Sequence, residues 1–333
     1  MALLVAAFIA ISGALYLSTQ RNLPHDPHGT ALLPSLAGQL NTITALSVRR
    51  AAATPTASVH EHDGRWTVVE RGDYPADVSK VRKLLLALSD AKIIEEKTSN
   101  PASFPIIGVE DPALPGASGA EVSFTGRDGK HSVIVGKSTG DGNFVRRGGE
   151  NTSYSVEPGI TFETEPRFWI DSRLLDIPAA GIQSIQVKPA SGAGYTIRRD
   201  TAGANYTLDG VPPGRKAIDS ASIAPSPTLL SGLTADDVTP VGGVDFSQRT
   251  VATVTMFDGG VTTITGTSSG NKHWIQLSAS KEEALNAKAA GHAFEIASYR
   301  FDAIFRPVEQ LLVAKTTPEA RKPSPRAGPA TRP

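Results

Sequence analysis

Gly136-Lys137-Ser138-Thr139 and Gly266-Thr267-Ser268-Ser269-Gly270 are stretches whose residue types and spacing could carry chemistry. The first ends like a phosphate-binding loop, in which backbone amides cradle phosphate and the lysine reaches its oxygens. Such a loop needs a further glycine where His131 stands and must open a helix, whereas Thr139 to Asn143 leads into another alternating stretch. The second matches the nucleophile elbow of serine hydrolases, whose serine acts when a strand-to-helix turn exposes it beside oxyanion amides. Here the alternating stretch Lys272 to Leu277 follows instead. In the chain order serine, acid, histidine, Glu282 or Glu283 would have to act before His292, in what reads as a surface insertion. A hydrolase centred on Ser268 is therefore a remote alternative. Both stretches fall in the same loop of two related segments, where glycine and serine serve to turn the chain.

His60 and His62 stand two residues apart on an expected strand, hence on one face, a spacing a metal could use; His25 and His28 flank Asp26-Pro27. Neither pair has a third ligand nearby. Glu95-Glu96, Asp236-Asp237 and Glu282-Glu283 are sequence neighbours, which do not converge as an acid/base pair without tertiary help. The chain has no cysteine, which excludes disulfides, thiolate metal sites, a cysteine nucleophile and the lipidated cysteine of a lipoprotein. Catalytic, cofactor-binding and metal-ligating residues are accordingly none, no cofactor is expected, and the reading is not an enzyme. Trp66, Trp169 and Trp274 sit in apolar contexts; Trp66 aligns with Tyr206 and Trp274 with Phe144, a repetition that favours core packing over ligand binding.

The elements that would carry these residues come around twice, at an offset of a domain rather than of a solenoid repeat. Each round opens with a strand that alternates with period two, 43–48 and 182–187. A hairpin follows, 58–62 turning at Asp63-Gly64 into 66–70, and 195–199 turning through Ala202-Gly203 into 206–208. The first round then predicts a helix with Pro75 early, Asp77 in its first turn and Val78, Val81, Leu85 and Leu88 as one apolar stripe. In the second, Ile218, Ile223, Leu229, Leu230 and Leu233 occupy the matching region, but Pro225 and Pro227 break a continuous helix. A second hairpin turns at Asp128-Gly129 and at Asp258-Gly259, and two more strands follow, 143–147 with 153–157 and 272–277 with 293–297. Helical signals over 166–175 and 299–312 close the rounds. The fold class expected is α+β: two tandem related strand-rich units, antiparallel sheets with helices on one face, over 41–178 and 179–313.

This order of signals resembles the bacterial family described as domain of unknown function 4340, through Leu33-Pro34-Ser35-Leu36-Ala37, Gly64-Arg65-Trp66-Thr67-Val68, Tyr74-Pro75-Ala76-Asp77 and Gly108-Val109-Glu110-Asp111-Pro112. The resemblance extends from about Leu33 to Leu312. It implies an N-terminal membrane anchor and, since many members are encoded beside subunits of ABC-type exporters or gliding-type transporters, an accessory role outside the cytoplasm. It carries no catalytic residue to this chain.

Residues 2–17 bear no charge and would extend about 24 Å as a helix at about 1.5 Å per residue, so 1–19 reads as a transmembrane anchor and 20–40 as a linker. Ser12-Gly13-Ala14 offers a signal-peptidase alternative, but the apolar run continues through Leu17, which favours the anchor. No Lys or Arg precedes the span and Arg21 follows it, the reverse of a positive-inside pattern; a start further upstream would supply a basic flank. Lys+Arg and Asp+Glu balance at 33 each, leaving no net field to draw nucleic acid, and the proline-rich cationic tail 314–333 is too polar to fold. The expectation is a membrane-tethered interaction module of the bacterial inner membrane, its soluble part periplasmic, with integral membrane or ABC-transporter subunits as partners. The alternative is a periplasmic ligand- or glycan-binding protein, with a cleft between its two units.

Overall fold

The computed structural model describes residues 27–225 and 229–314, and the chain divides into two compact units between Ser172 and Arg173. The expected span 2–17, the cationic tail from Lys315 onward, His25 and Pro227 lie outside the described residues. Among the described residues no helix is long and apolar enough to cross a membrane.

In the first unit the elements are β1 (Ala45–Arg50), β2 (Ala57–His62), β3 (Arg65–Val68), β4 (Tyr74–Pro75), α1 (Val78–Asp90), β5 (Lys92–Thr98), α2 (Phe104–Ile107), β6 (Ala120–Gly126), β7 (Gly129–Ser138), β8 (Asn143–Arg147), β9 (Ser153–Glu157) and α3 (Pro166–Trp169). Nine strands form one antiparallel sheet in the order β4-β3-β2-β1-β6-β7-β8-β9-β5. Alternation sets the faces: Leu46 and Val48 of β1 are buried while Ala45, Ser47 and Arg49 are half-exposed. Between β2 and β3, Asp63 at φ 51° and Gly64 at φ 77° both take the left-handed conformation that a tight hairpin turn demands.

Helix α1 joins the two edge strands. Asp77 caps it, accepting a 3.0 Å bond from the Ser79 amide, and Val81, Leu84, Leu85 and Leu88 are its buried side chains. Two expectations are corrected here. Pro75 lies in β4, not in the helix, and Val78, at the first helical position, is 41% exposed while Leu84 takes its place inside. Residues 27–32, within the expected linker, are docked on β5: Gly29 N–H donates to the Ile93 carbonyl at 2.7 Å, Ile93 to Thr30 at 2.8 Å and Leu32 to Ala91 at 2.8 Å. This cover satisfies an edge that would otherwise offer unpaired backbone groups. It also seats Leu32 and, through successive turns, Leu36 in the core.

The second unit begins with β10 (Arg173–Ile177), β11 (Ile182–Lys188), β12 (Tyr195–Arg198), β13 (Thr207–Asp209), α4 (Ser220–Ile223), β14 (Leu230–Thr234) and β15 (Asp237–Pro240). It continues with β16 (Thr250–Met256), β17 (Val261–Ser269), β18 (Lys272–Ala279), α5 (Glu283–Ala289), β19 (His292–Ile296) and α6 (Ser298–Ile304). Eight strands form an antiparallel sheet in the order β13-β12-β11-β16-β17-β18-β19-β15, and β10 pairs with β14 apart from it. The helical expectation over 166–175 is corrected: α3 stops at Trp169, and Arg173–Ile177 is a strand whose Leu175 and Ile177 pair with Leu233 and Leu230. Helix α4 ends at Ile223, two residues before Pro225, because the residue ahead of a proline is pushed out of the helical region. The architecture is strand-rich and antiparallel, with few and mostly short helices.

Candidate functional site

Gly136-Lys137-Ser138 forms the end of β7, and Thr139 turns back into β8: its amide donates to the Gly142 carbonyl at 2.9 Å, and the Gly140 amide to Ser138 Oγ at 3.3 Å. These amides are spent on the turn, and no helix follows to complete a phosphate cradle. Lys137 Nζ donates to the Ile106 carbonyl at 2.8 Å. Gly136 has a packing reason: a Cβ there would stand 2.4 Å from the Ile107 carbonyl oxygen. The glycine admits the segment after α2 rather than a nucleotide.

The second stretch ends β17, at the matching place in its own sheet. A Cβ on Gly266 would stand 2.2 Å from the Phe305 ring. Ser268 does meet a histidine, but it is His273 across the hairpin, with Oγ 2.9 Å from Nδ1, and not His292, whose Nδ1 faces the Ala290 carbonyl at 2.9 Å. The signal lies in the sequence, since a separation of five positions across a two-residue turn places Ser268 and His273 directly opposite. His273 stacks on Phe301 at 4.7 Å, and among the described residues it makes no second hydrogen bond that would orient it as a base. Gln276, Ser278 and the strand amides around Ser268 belong to the ladder, so the serine does not stand on an elbow.

The remaining candidates are dispersed. His60 and His62 are exposed on β2, His62 3.3 Å from Asp63, and among the described residues no group of three metal-ligating side chains assembles. His28 Nδ1 lies 2.8 Å from the Ile94 carbonyl, part of the docked segment. Glu95 pairs with Lys97, Asp237 lies opposite Glu295 in the sheet, and Glu282-Glu283 begins α5. Trp169 is 1% exposed with its indole N–H donating to the Glu163 carbonyl at 3.2 Å, and Trp274 is buried beside Lys272. Trp66 is half-buried and lines a groove.

That groove, about 490 Å³, runs between α1 and the β2–β3 hairpin. Ile43, Trp66, Val78, Val81, Leu85 and Leu86 form its apolar surface, with Asn41, Thr44, Glu61 and Arg82 around them. Leu86 is 42% exposed. It stands off the buried stripe of its helix, and an off-stripe leucine is the sequence signal that points to this groove. A second cavity of about 490 Å³ lies on the polar face over β1, β6 and β7, but its arginines are matched internally: Arg49 to Glu121 at 2.6 Å, Arg147 to Glu150 at 3.2 Å. His131 there stands 3.0 Å from Asp128, whose carboxyl Gln39 and then His131 hold below the usual range.

The Gly108-Val109-Glu110-Asp111-Pro112 segment is structural. Gly108 closes α2 at φ 75°, and Val109 joins Phe104 and Ile134 in a small core cluster. Glu110, 9% exposed, accepts from the Ser118 amide at 2.7 Å, and Arg146 donates to the Val109 carbonyl at 2.9 Å while covering the Phe104 ring. Side chains of this kind hold a loop in one conformation by bonding its backbone groups, here the Ser118 amide and the Val109 carbonyl.

Fold and sites together describe two antiparallel-sheet units in which Gly136-Lys137-Ser138 and Gly266 to Ser269 are built into strand ends, and in which the first unit carries surface grooves. The family described as Domain of unknown function (DUF4340) matches residues 66–251, from β3 into β16 and more than half of the 333-residue chain, and the protein belongs to that family. Comparison with curated proteins and with solved structures finds no match.

Proposed function

We propose that the protein is a non-enzymatic interaction module, held to the bacterial inner membrane by residues 2–17 and working outside the cytoplasm as an accessory to an ABC-type transporter complex. The observation that carries the binding role is the groove between α1 and the β2–β3 hairpin. An aromatic and aliphatic surface with a polar rim is the composition of a protein-docking face, and Val78 and Leu86 stay exposed on it against the trend for apolar side chains. The occupant proposed is a ridge of apolar side chains on a transporter subunit. Duplication is part of the same reading: strands β1–β3 and β6–β9 take one path through their sheet as β11–β13 and β16–β19 do through theirs, with β5 and β15 each returning to the far edge.

The test is affinity purification of the tagged full chain from its own membranes in mild detergent, with mass spectrometry of the proteins that accompany it. Transporter subunits should be recovered, and lost both when residues 41–313 are removed with 1–19 kept and when Leu86 is replaced by Asp. Recovery of the protein alone after crosslinking would overturn the reading.

A further inference from the structure

A third cavity of the first unit, about 560 Å³, lies between α1 and the segment 160–169. Leu84, Val135, Ile160 and Phe162 line it together with Phe168 and the deeply buried Trp169. Its size falls in the range of small-molecule sites, and its lining joins these apolar side chains to the polar Asn143, Thr161 and Glu163. Three cations stand at its margin. Lys80 is already engaged, donating to the Phe168 carbonyl at 2.5 Å and lying 4.5 Å over the Phe168 ring. The side chains of Arg50 and Lys83 have no hydrogen-bond or ion-pair partner among the described residues, and the single acid in the lining is Glu163.

We propose that this cavity binds a single-chain amphiphilic anion, an acyl carboxylate, with its chain against Leu84, Phe162 and Trp169 and its head group held by Arg50 and Lys83. Charge and polarity select this class. A neutral sugar would leave both cations uncompensated and set its hydroxyls against the Leu84, Phe162 and Trp169 side chains, while a nucleotide would need the turn amides that Gly142 and Ser138 already occupy. The polar cavity over β1 makes the opposite case, since its arginines are neutralised by their own carboxylates. The segment 160–169 is held in place without a ligand: the Ile160 amide donates to Asn143 Oδ1 at 2.7 Å, and the Trp169 indole anchors to Glu163. A preformed wall lowers the ordering cost of binding. The inference does not rest on the transporter reading, and either can fail alone.

The experiment is photocrosslinking of the full chain, purified in a neutral maltoside, with a diazirine-bearing dodecanoate, followed by peptide mapping. Adducts should concentrate on peptides carrying Leu84, Val135 and Phe162. They should fall at least fivefold in the double variant Arg50→Gln, Lys83→Gln and in Thr161→Trp, which fills the mouth and keeps the charges. They should rise in Glu163→Gln, and unlabelled dodecanoate should compete where dodecanol does not. Labelling spread evenly over the surface, or unchanged in both the charge and the filling variants, would overturn the proposal. So would association with phosphatidylglycerol vesicles without labelling by the monomeric acid, which would assign the cations to a bilayer surface.

Discussion

Gly136 illustrates how one residue type can answer two different demands. In a phosphate loop glycine is needed for the ligand; here the Ile107 carbonyl sits where a Cβ would stand, at 2.4 Å. Gly136→Ala should therefore destabilise the protein by about 1–3 kcal/mol, the usual cost of forced overpacking, because the obstructing atom is backbone and cannot swing aside. Gly203→Ala, with open space around it and an ordinary φ, should change stability by about 0.5 kcal/mol or less. Chemical denaturation of the two variants checks the contrast. Tyr195 makes the pH prediction. Burial pushes its phenol up from 10.0 to about 12, partly offset by Arg306, and its hydroxyl donates to the Arg306 carbonyl at 2.5 Å. The folded state thus holds this proton more tightly than the unfolded chain does. The stability it contributes is complete below the unfolded value of 10.0 and is lost as pH rises towards about 12. Denaturation midpoints should fall across that window, and the fall should be shallower in Tyr195→Phe.

Among the elements, α1 separates the contributions of capping and packing. Asp77 satisfies an amide of the first turn from an exposed position, so Asp77→Ala should cost about 1 kcal/mol. Leu88 is completely buried, so Leu88→Ala should cost about 2–5 kcal/mol, the spread reflecting how far the site can collapse. Equal losses by thermal or urea unfolding would mean that the helix is not held by its apolar face. The elements also show where sequence reading works. Asp63-Gly64 between alternating stretches announces its hairpin because both residues tolerate positive φ, and the leucine spacing announces α1. The end of the first unit is harder to read, because Arg173–Ile177 has too few residues to distinguish a buried strand from a buried helix by periodicity.

For the whole molecule, that strand decides the division of the chain. β10 pairs with β14 and places Leu175 opposite Leu233 and Ile177 opposite Leu230, so it belongs to the second unit. A fragment 173–314 should unfold cooperatively and at a higher denaturant concentration than 179–314, which lacks β10; equal midpoints would place the division at the later position. Fragment 27–172 should need its last residues, since the Asp171 amide donates to the Pro75 carbonyl at 2.9 Å and Tyr74 donates to the Asp171 carbonyl at 3.2 Å. The sequence by itself determined the strand-rich antiparallel character, the hairpins, helix α1 and the family, because each of these rests on periodicity and turn chemistry within a short stretch or on motifs in fixed order. Tertiary structure alone decided that β5 and β15 return to the far edge of their sheets, that residues 27–32 cover β5, that Ser268 meets His273, and that Arg50 and Lys83 border one cavity. These are pairings between residues distant along the chain or across a strand register, and side-chain periodicity specifies which face a residue takes without specifying its partner.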